Sequence, residues 1–181
     1  MTRVVGGAFV ALMATLLAIN VVWIVRHGDR LRPFGKGDVA PNFVVSRADG
    51  QGTVDLSALR GHVVVIDFWA TWCGPCRESM PVLERIYAKY HRAGLELASI
   101  NSDGGTVDAA RVLAFARRYG LTFPVAIDDG RASALYRVDS VPRILIVDKA
   151  GLIRAEHLGV FSAARLEKEL DERVAELLAE R

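Results

Sequence analysis

The chain has only two cysteines, and they stand together in Trp72-Cys73-Gly74-Pro75-Cys76, directly after the apolar run Val63-Val64-Val65-Ile66-Asp67-Phe68-Trp69. A strand that delivers a C-x-x-C to the first turn of a helix is an arrangement for thiol chemistry. The helix N-terminus offers unpaired N–H groups and the positive end of the macrodipole, and both favour a thiolate over a thiol. The thiolate is the attacking species in disulfide exchange, so the segment points to redox work. In that scheme Cys73, accessible at the helix start, attacks a substrate disulfide and forms a mixed disulfide. Cys76, one turn on and more buried, then attacks Cys73, releases the reduced substrate and leaves Cys73–Cys76 oxidised.

Three other uses of a cysteine pair fit less well. A purely structural disulfide here closes too small a loop to constrain the unfolded chain much. A structural zinc site needs about four ligands, and His27, His62, His91 and His157 show no paired spacing. Haem attachment needs His directly after the second cysteine, where this chain has Arg77. No metal and no cofactor beyond the Cys73–Cys76 pair is therefore expected. Asp67 interrupts the apolar strand six residues before Cys73. Burial penalises its ionised form and raises its pKa, which suits a proton acceptor for Cys76. The alternative is a structural carboxylate bonded to nearby backbone.

The elements needed to position these groups can be read along the chain. Val44-Val45 and Thr53-Val54 across Asp49-Gly50-Gln51-Gly52 predict a hairpin. Leu56–Leu59 reads as a helical turn ended by Gly61. His62–Trp69 is a near-continuous apolar run, as in a central strand. Cys73–Ala93 follows as a helix with Met80, Leu83, Ile86 and Tyr87 at core spacing, Pro81 as a kink and Gly94 as terminator. Then come a strand at Leu95–Ile100, a helix at Val107–Tyr119 capped by Thr106, a strand at Phe123–Ile127 and a short helix at Arg131–Tyr136. Asn101–Gly105 and Asp128–Gly130 read as turns. Ile144–Val147 and Leu152–His157 form a hairpin across Asp148–Gly151, and Leu166, Leu170, Val174, Leu177 and Leu178 stripe a last helix. Such alternation predicts an α/β fold, a mixed sheet flanked by helices.

The stretch Val65–Pro81, VIDFWATWCGPCRESMP, resembles the active-site region of thioredoxins. With the N-terminal apolar segment, the later Val141-Pro142 and the run Ile144–Gly151, the chain resembles the membrane-anchored TlpA/ResA-like thiol-disulfide oxidoreductases from about Asp38 onward. The resemblance implies a thioredoxin-like sheet with an N-terminal hairpin and a central helix–strand insertion between Thr106 and Ile127. It implies a cis bond before Pro142, which would expose the Val141 backbone for strand-like pairing with substrate. Trp72, Gly74, Pro75, Val141 and Pro142 are thus the candidate substrate-binding residues, while Trp69 is expected to pack. The matching position of thioredoxins also holds a buried Asp, whereas many TlpA-like chains have Asn there. The family usually has Thr after the proline. Arg143 stands there instead, either as a cation near the substrate groove or as a plain surface residue. Many relatives carry Glu at the position of Ser79, with Glu78 its neighbour here, so redox tuning by that Glu is not carried over.

As function, the resemblance implies a reductase of disulfides in exported proteins such as apocytochrome c, with electrons from a membrane thiol carrier. A non-catalytic binding or redox-sensor module on the same scaffold is the alternative, since fold does not fix function. A thiol peroxidase lacks its characteristic cysteine environment here. The 181 residues suit one domain with an appendage, and a net charge of +2 with interspersed signs gives no reason to expect nucleic-acid binding. A monomer is expected. Val4–Val25 carries no charge over 22 positions, enough to span a hydrocarbon core of about 30 Å. Residues 1–25 are read as an anchor rather than a cleavable signal peptide, 26–37 as a linker and 38–181 as the thioredoxin-like domain. Arg26, Arg30, Arg32 and Lys36 after the span favour a cytoplasmic domain by charge alone. The family resemblance implies the periplasmic side of the cytoplasmic membrane, and that side is the one expected.

Overall fold

The computed structural model describes residues 12–23, 34–104, 107–159 and 162–180. The chain divides into two compact units, Met1–Phe34 and Gly35–Arg181. In the first, residues 12–23 form a helix, α1, with every side chain exposed. Leu12, Leu16, Leu17, Ile19 and Trp23 lie open, and Asn20 donates its side-chain amide back to the Leu16 carbonyl at 2.8 Å. Among the described residues no helix is long and apolar enough to cross a membrane. The run expected to do so, Val4–Val25, extends beyond the described residues at both ends.

In the second unit the strands are β1 (Val44–Arg47), β2 (Thr53–Asp55), β3 (Val63–Trp69), β4 (Leu95–Asn101), β5 (Val125–Ile127), β6 (Arg143–Val147) and β7 (Ile153–Leu158). They form one mixed sheet in the order β2-β1-β5-β4-β3-β6-β7. The helices are α2 (Gly74–Tyr90), α3 (Ala109–Arg118), α4 (Arg131–Tyr136) and α5 (Ala163–Ala179). All of β3 is buried, as its unbroken apolar sequence demands of a strand covered on both faces. Because strand side chains alternate, Val63, Val65 and Trp69 enter one cluster with Met80, Leu83 and Ile86 of α2 and with Leu166, Leu170, Val174 and Leu177 of α5. Each such fully buried side chain stabilises the fold by roughly 1.5–3 kcal/mol. Phe68 turns to the other face and meets Tyr136 of α4 at 5.4 Å, which in turn meets Phe43 at 5.9 Å.

The insertion is built into the sheet rather than appended to it. Its strand β5 pairs in parallel with β4 and antiparallel with β1, so the N-terminal hairpin joins the sheet through β5.

Element ends differ from the sequence reading for local reasons. Helix α2 runs through Pro81 and stops at Tyr90, and a tighter 3-10 turn, His91–Ala93, leads to Gly94 at φ +106°. A left-handed residue is needed there, and glycine adopts it without a Cβ penalty. Helix α3 starts at Ala109 because the Asp108 carboxylate accepts the Ala110 N–H at 3.0 Å. Thr106, the expected cap, lies outside the described residues. Pro124 has no N–H to give a ladder, and β5 begins only after it. Gly37, within the expected linker, already donates its N–H to the Ile153 carbonyl at 2.7 Å.

Candidate active site

Parallel pairing of β3 with β4 brings their C-terminal ends together, and antiparallel pairing with β6 sets Phe68 opposite Arg143. One end of the sheet therefore collects the loop Ala70–Cys73, the segment Asn101–Asp103 and the dipeptide Val141-Pro142. The Val141–Pro142 peptide is cis, as the resemblance implied. Val141 packs against the apolar cluster that contains both cysteines. Among the described residues its N–H and C=O make no backbone hydrogen bond.

Cys73 and Cys76 are joined in a disulfide, with Cα atoms 5.3 Å apart. Cys73 is the N-cap of α2. Its sulfur accepts the Cys76 N–H at 3.1 Å, with Gly74 and Pro75 filling the first turn. Proline is tolerated there because its missing N–H would have been unpaired anyway. A thiolate on Cys73 would inherit the same donor and the positive end of the same helix dipole, both of which favour a negative charge. The cysteine expected to be accessible is nearly covered. Cys73 is 3% exposed and Cys76 0%, whereas Trp72 is 68% exposed. In this oxidised form the Cys73 sulfur turns inward to its partner and to the helix. Trp72 instead offers a large apolar face directly beside the motif, and Trp69 packs fully inside.

Asp67 alternates with Val65 and Trp69 along β3, so it points to the face covered by α2, the helix that carries Cys76. It is completely buried. Desolvation raises its pKa to about 7, only partly opposed by Ser99 opposite on β4, whose hydroxyl donates to Oδ2 at 3.4 Å. The other carboxylate oxygen, Oδ1, has no hydrogen-bond partner. A structural carboxylate bonded to backbone is not what is found. The group titrates near neutral pH and has one free oxygen.

Three residues play parts that the sequence did not disclose. The Asp103 carboxylate accepts the Thr71 N–H at 3.0 and 3.1 Å and the Asn101 side-chain amide at 2.9 Å, pinning the loop that leads into Cys73. Asn101 is thus the last residue of β4, and Asp103 just beyond it braces the loop. Phe115 of α3 stacks on Trp69 at 4.6 Å. Arg143 is neither a groove cation nor a surface residue. It is 6% exposed, its Nη1 donates to the Tyr136 and Arg137 carbonyls at 2.5 and 2.7 Å, and its Nη2 stands 2.6 Å from Glu156. An opposite-charge partner and orphaned helix-end carbonyls make that burial tolerable, and they tie α4 to the start of β6. Ser79 is buried with its hydroxyl donating to the Cys76 carbonyl at 2.9 Å, and Glu78 is exposed.

A thioredoxin-like fold with a disulfide at a helix start defines the class, and comparison with known proteins agrees. The chain belongs to the AhpC/TSA family, which it matches over residues 36–156. It is 38% identical over 132 residues to the thiol-disulfide oxidoreductase ResA of Bacillus thuringiensis, covering 72% of this chain and 74% of that one. It is 35% identical over 136 residues to the thioredoxin-like protein YneN of Bacillus subtilis, covering 75% and 79%. Among solved structures, one described as a thiol:disulfide interchange protein DsbE of Chlorobium tepidum superposes with a TM-score of 0.71 at 33% identity, covering 81% of this chain and 99% of that one. The protein is a thiol-disulfide oxidoreductase.

Proposed function

We propose that this enzyme is a membrane-tethered reductase of disulfides in exported proteins, apocytochrome c among them. The observation that carries the mechanism is the pairing of a helix-capping Cys73 with a buried Asp67 of pKa about 7 beneath the cysteine helix. The Cys73 thiolate attacks one sulfur of the substrate disulfide, and the other leaves as a thiolate that takes a proton from water. The Asp67 carboxylate accepts the proton of Cys76, whose sulfur attacks Cys73 and expels the second substrate thiol. Two electrons pass to the substrate, and the Cys73–Cys76 disulfide re-forms. A membrane dithiol then returns it to the reduced state. Val141 offers its backbone to the substrate strand, with Pro142, Trp72, Gly74 and Pro75 as the surrounding surface.

The tether is supported by the uncharged run Val4–Val25 and by the outward apolar side chains of α1. The reducing direction is supported by the Gly-Pro between the cysteines, which resembles reducing thioredoxins. Retention of Cys73, Cys76, Asp67 and Pro142 together speaks against a non-catalytic binding or sensor module on this scaffold. In cells, the full chain carrying Cys76→Ser should accumulate mixed disulfides with exported proteins, and Cys73→Ser should trap few. Equal trapping by both variants, or partners drawn only from the cytoplasm, refutes this reading.

A further inference from the structure

We infer that the enzyme favours substrates whose disulfide is flanked by acidic residues, held in a basic groove beside the motif. The inference rests on the disulfide-exchange function proposed above. A cavity of about 460 Å3 opens next to the cysteines between Thr71 and Arg77 on one side and Arg111, Phe115, Arg118 and Tyr119 on the other. Arg111, Phe115 and Arg118 recur at helical spacing and share one face of α3, while Val112 and Ala116 go to the core. The floor is aromatic, with Phe115 stacked on Tyr119 and on Trp69, each at 4.6 Å. Arg77 reaches back over the motif. Its Nη2 lies 3.6 Å from where a Cβ on Gly74 would stand.

The charge of this groove sets it apart. Its lining holds three guanidinium groups and no carboxylate. Many surface arginines of the same unit are paired, among them Arg47 with Asp49, Arg85 with Glu167, Arg131 with Asp129, Arg154 with Glu180 and Arg165 with Glu169. Arg77, Arg111 and Arg118 make no ion pair among the described residues. Unpaired cations inside one concavity add their fields, and the planar fork of arginine matches a carboxylate in two hydrogen bonds. The near-balanced charge of the whole chain gives no stripe to follow a phosphate backbone. Because Thr71 and Arg77 bracket the cysteines, the occupant is the stretch of substrate polypeptide next to its own disulfide.

The test compares two peptides that hold the same disulfide, one flanked by Asp and Glu and the other by Ser and Gln, reduced by the full-length enzyme. The ratio of their kcat/KM values is read within one preparation, so a general loss of activity cancels. The acidic peptide should be favoured roughly three- to tenfold at low ionic strength, as two or three exposed charge pairs give. The preference should shrink in salt, where screening acts over about 10 Å at 0.1 M. Arg111→Gln with Arg118→Gln should bring the ratio near one, and Arg111→Lys with Arg118→Lys should keep most of it. A wild-type ratio near one, or a preference that survives the Gln pair, overturns the groove and leaves the reductase intact. An enzyme that reduces neither peptide overturns both.

Discussion

Replacing Asp67 by Asn in the oxidised chain should stabilise the fold above neutral pH and give no gain in acid. The folded carboxyl titrates at about 7 against an ordinary value of 3.8, because burial strips its charge of water. At 1.36 kcal/mol per unit, that gap amounts to about 4 kcal/mol. The sign follows from proton binding. Between 3.8 and about 7 the folded state holds a proton that the unfolded state has lost, so the contribution of Asp67 to stability falls as pH rises through this window. Below it the group costs nothing extra, and above it the full penalty applies. Asn removes the titration and fits the same volume, but its amide brings donors to the place where Oδ1 has no partner. An unsatisfied buried donor costs about 1–3 kcal/mol. The net gain above neutral pH is therefore about 1–3 kcal/mol, and at acid pH the variant is no more stable than wild type.

Urea unfolding of the full chain from about pH 4 to 8, without reductant so that Cys73–Cys76 stays closed, measures this directly. The stability of wild type relative to the Asn variant should decline across the window, and the two curves should cross. Parallel curves would show that Asp67 does not titrate where its burial places it, and the argument would fail. The reduced chain supplies the kinetic half. In single-turnover reduction of a model disulfide, the variant should slow the Cys76 step near neutral pH. The deficit should shrink as pH approaches about 8.5, where thiols lose their own protons. An unchanged rate across pH would leave Asp67 without a part in proton transfer.

Two further outcomes are expected. Asp103→Ala frees the Thr71 N–H and the loop before Cys73, and loss of hydrogen bonds to a charged group should lower stability by about 2 kcal/mol and slow exchange; Asp103→Asn, which keeps an acceptor, should recover most of both, and an Ala variant matching wild type would remove Asp103 from the site. A fusion after Arg181 should give active alkaline phosphatase and a silent cytoplasm-dependent reporter, and the reverse pattern would place the catalytic unit in the cytoplasm.

What the sequence discloses here is whatever depends on local pattern. The unbroken apolar run of β3 announces a central strand, and its period of two then sets Asp67 on the same face as Val65 and Trp69, under the cysteine helix. Gly94 and the stripe Leu166, Leu170, Val174 and Leu177 are equally local signals. The misread features depend on long-range pairing or on competition between neighbours. Asp103 looks like a turn residue until the parallel β3–β4 register brings it to Thr71. Arg143 looks exposed because arginine usually is, and only the fold supplies Glu156 and the end of α4 as its partners. The accessibility expected of Cys73 follows from its place at a helix start, but in the disulfide its sulfur is turned inward.

The insertion shows how such a scaffold can change partners without changing its chemistry. Strand β5 belongs to the framework, since the β1–β2 hairpin reaches the sheet through it. Helix α3 has two faces with separate duties. Val112 and Ala116 lock it to the core, and Phe115 braces Trp69 at the end of β3. Arg111 and Arg118 face the cavity beside the motif and support neither the strand nor the disulfide. Substitution of Arg111 or Arg118 alters the charge that a substrate meets while leaving Cys73, Cys76 and Asp67 in place. In this reading selectivity draws on α3 together with Arg77 of α2, and reactivity on the β3–α2 junction.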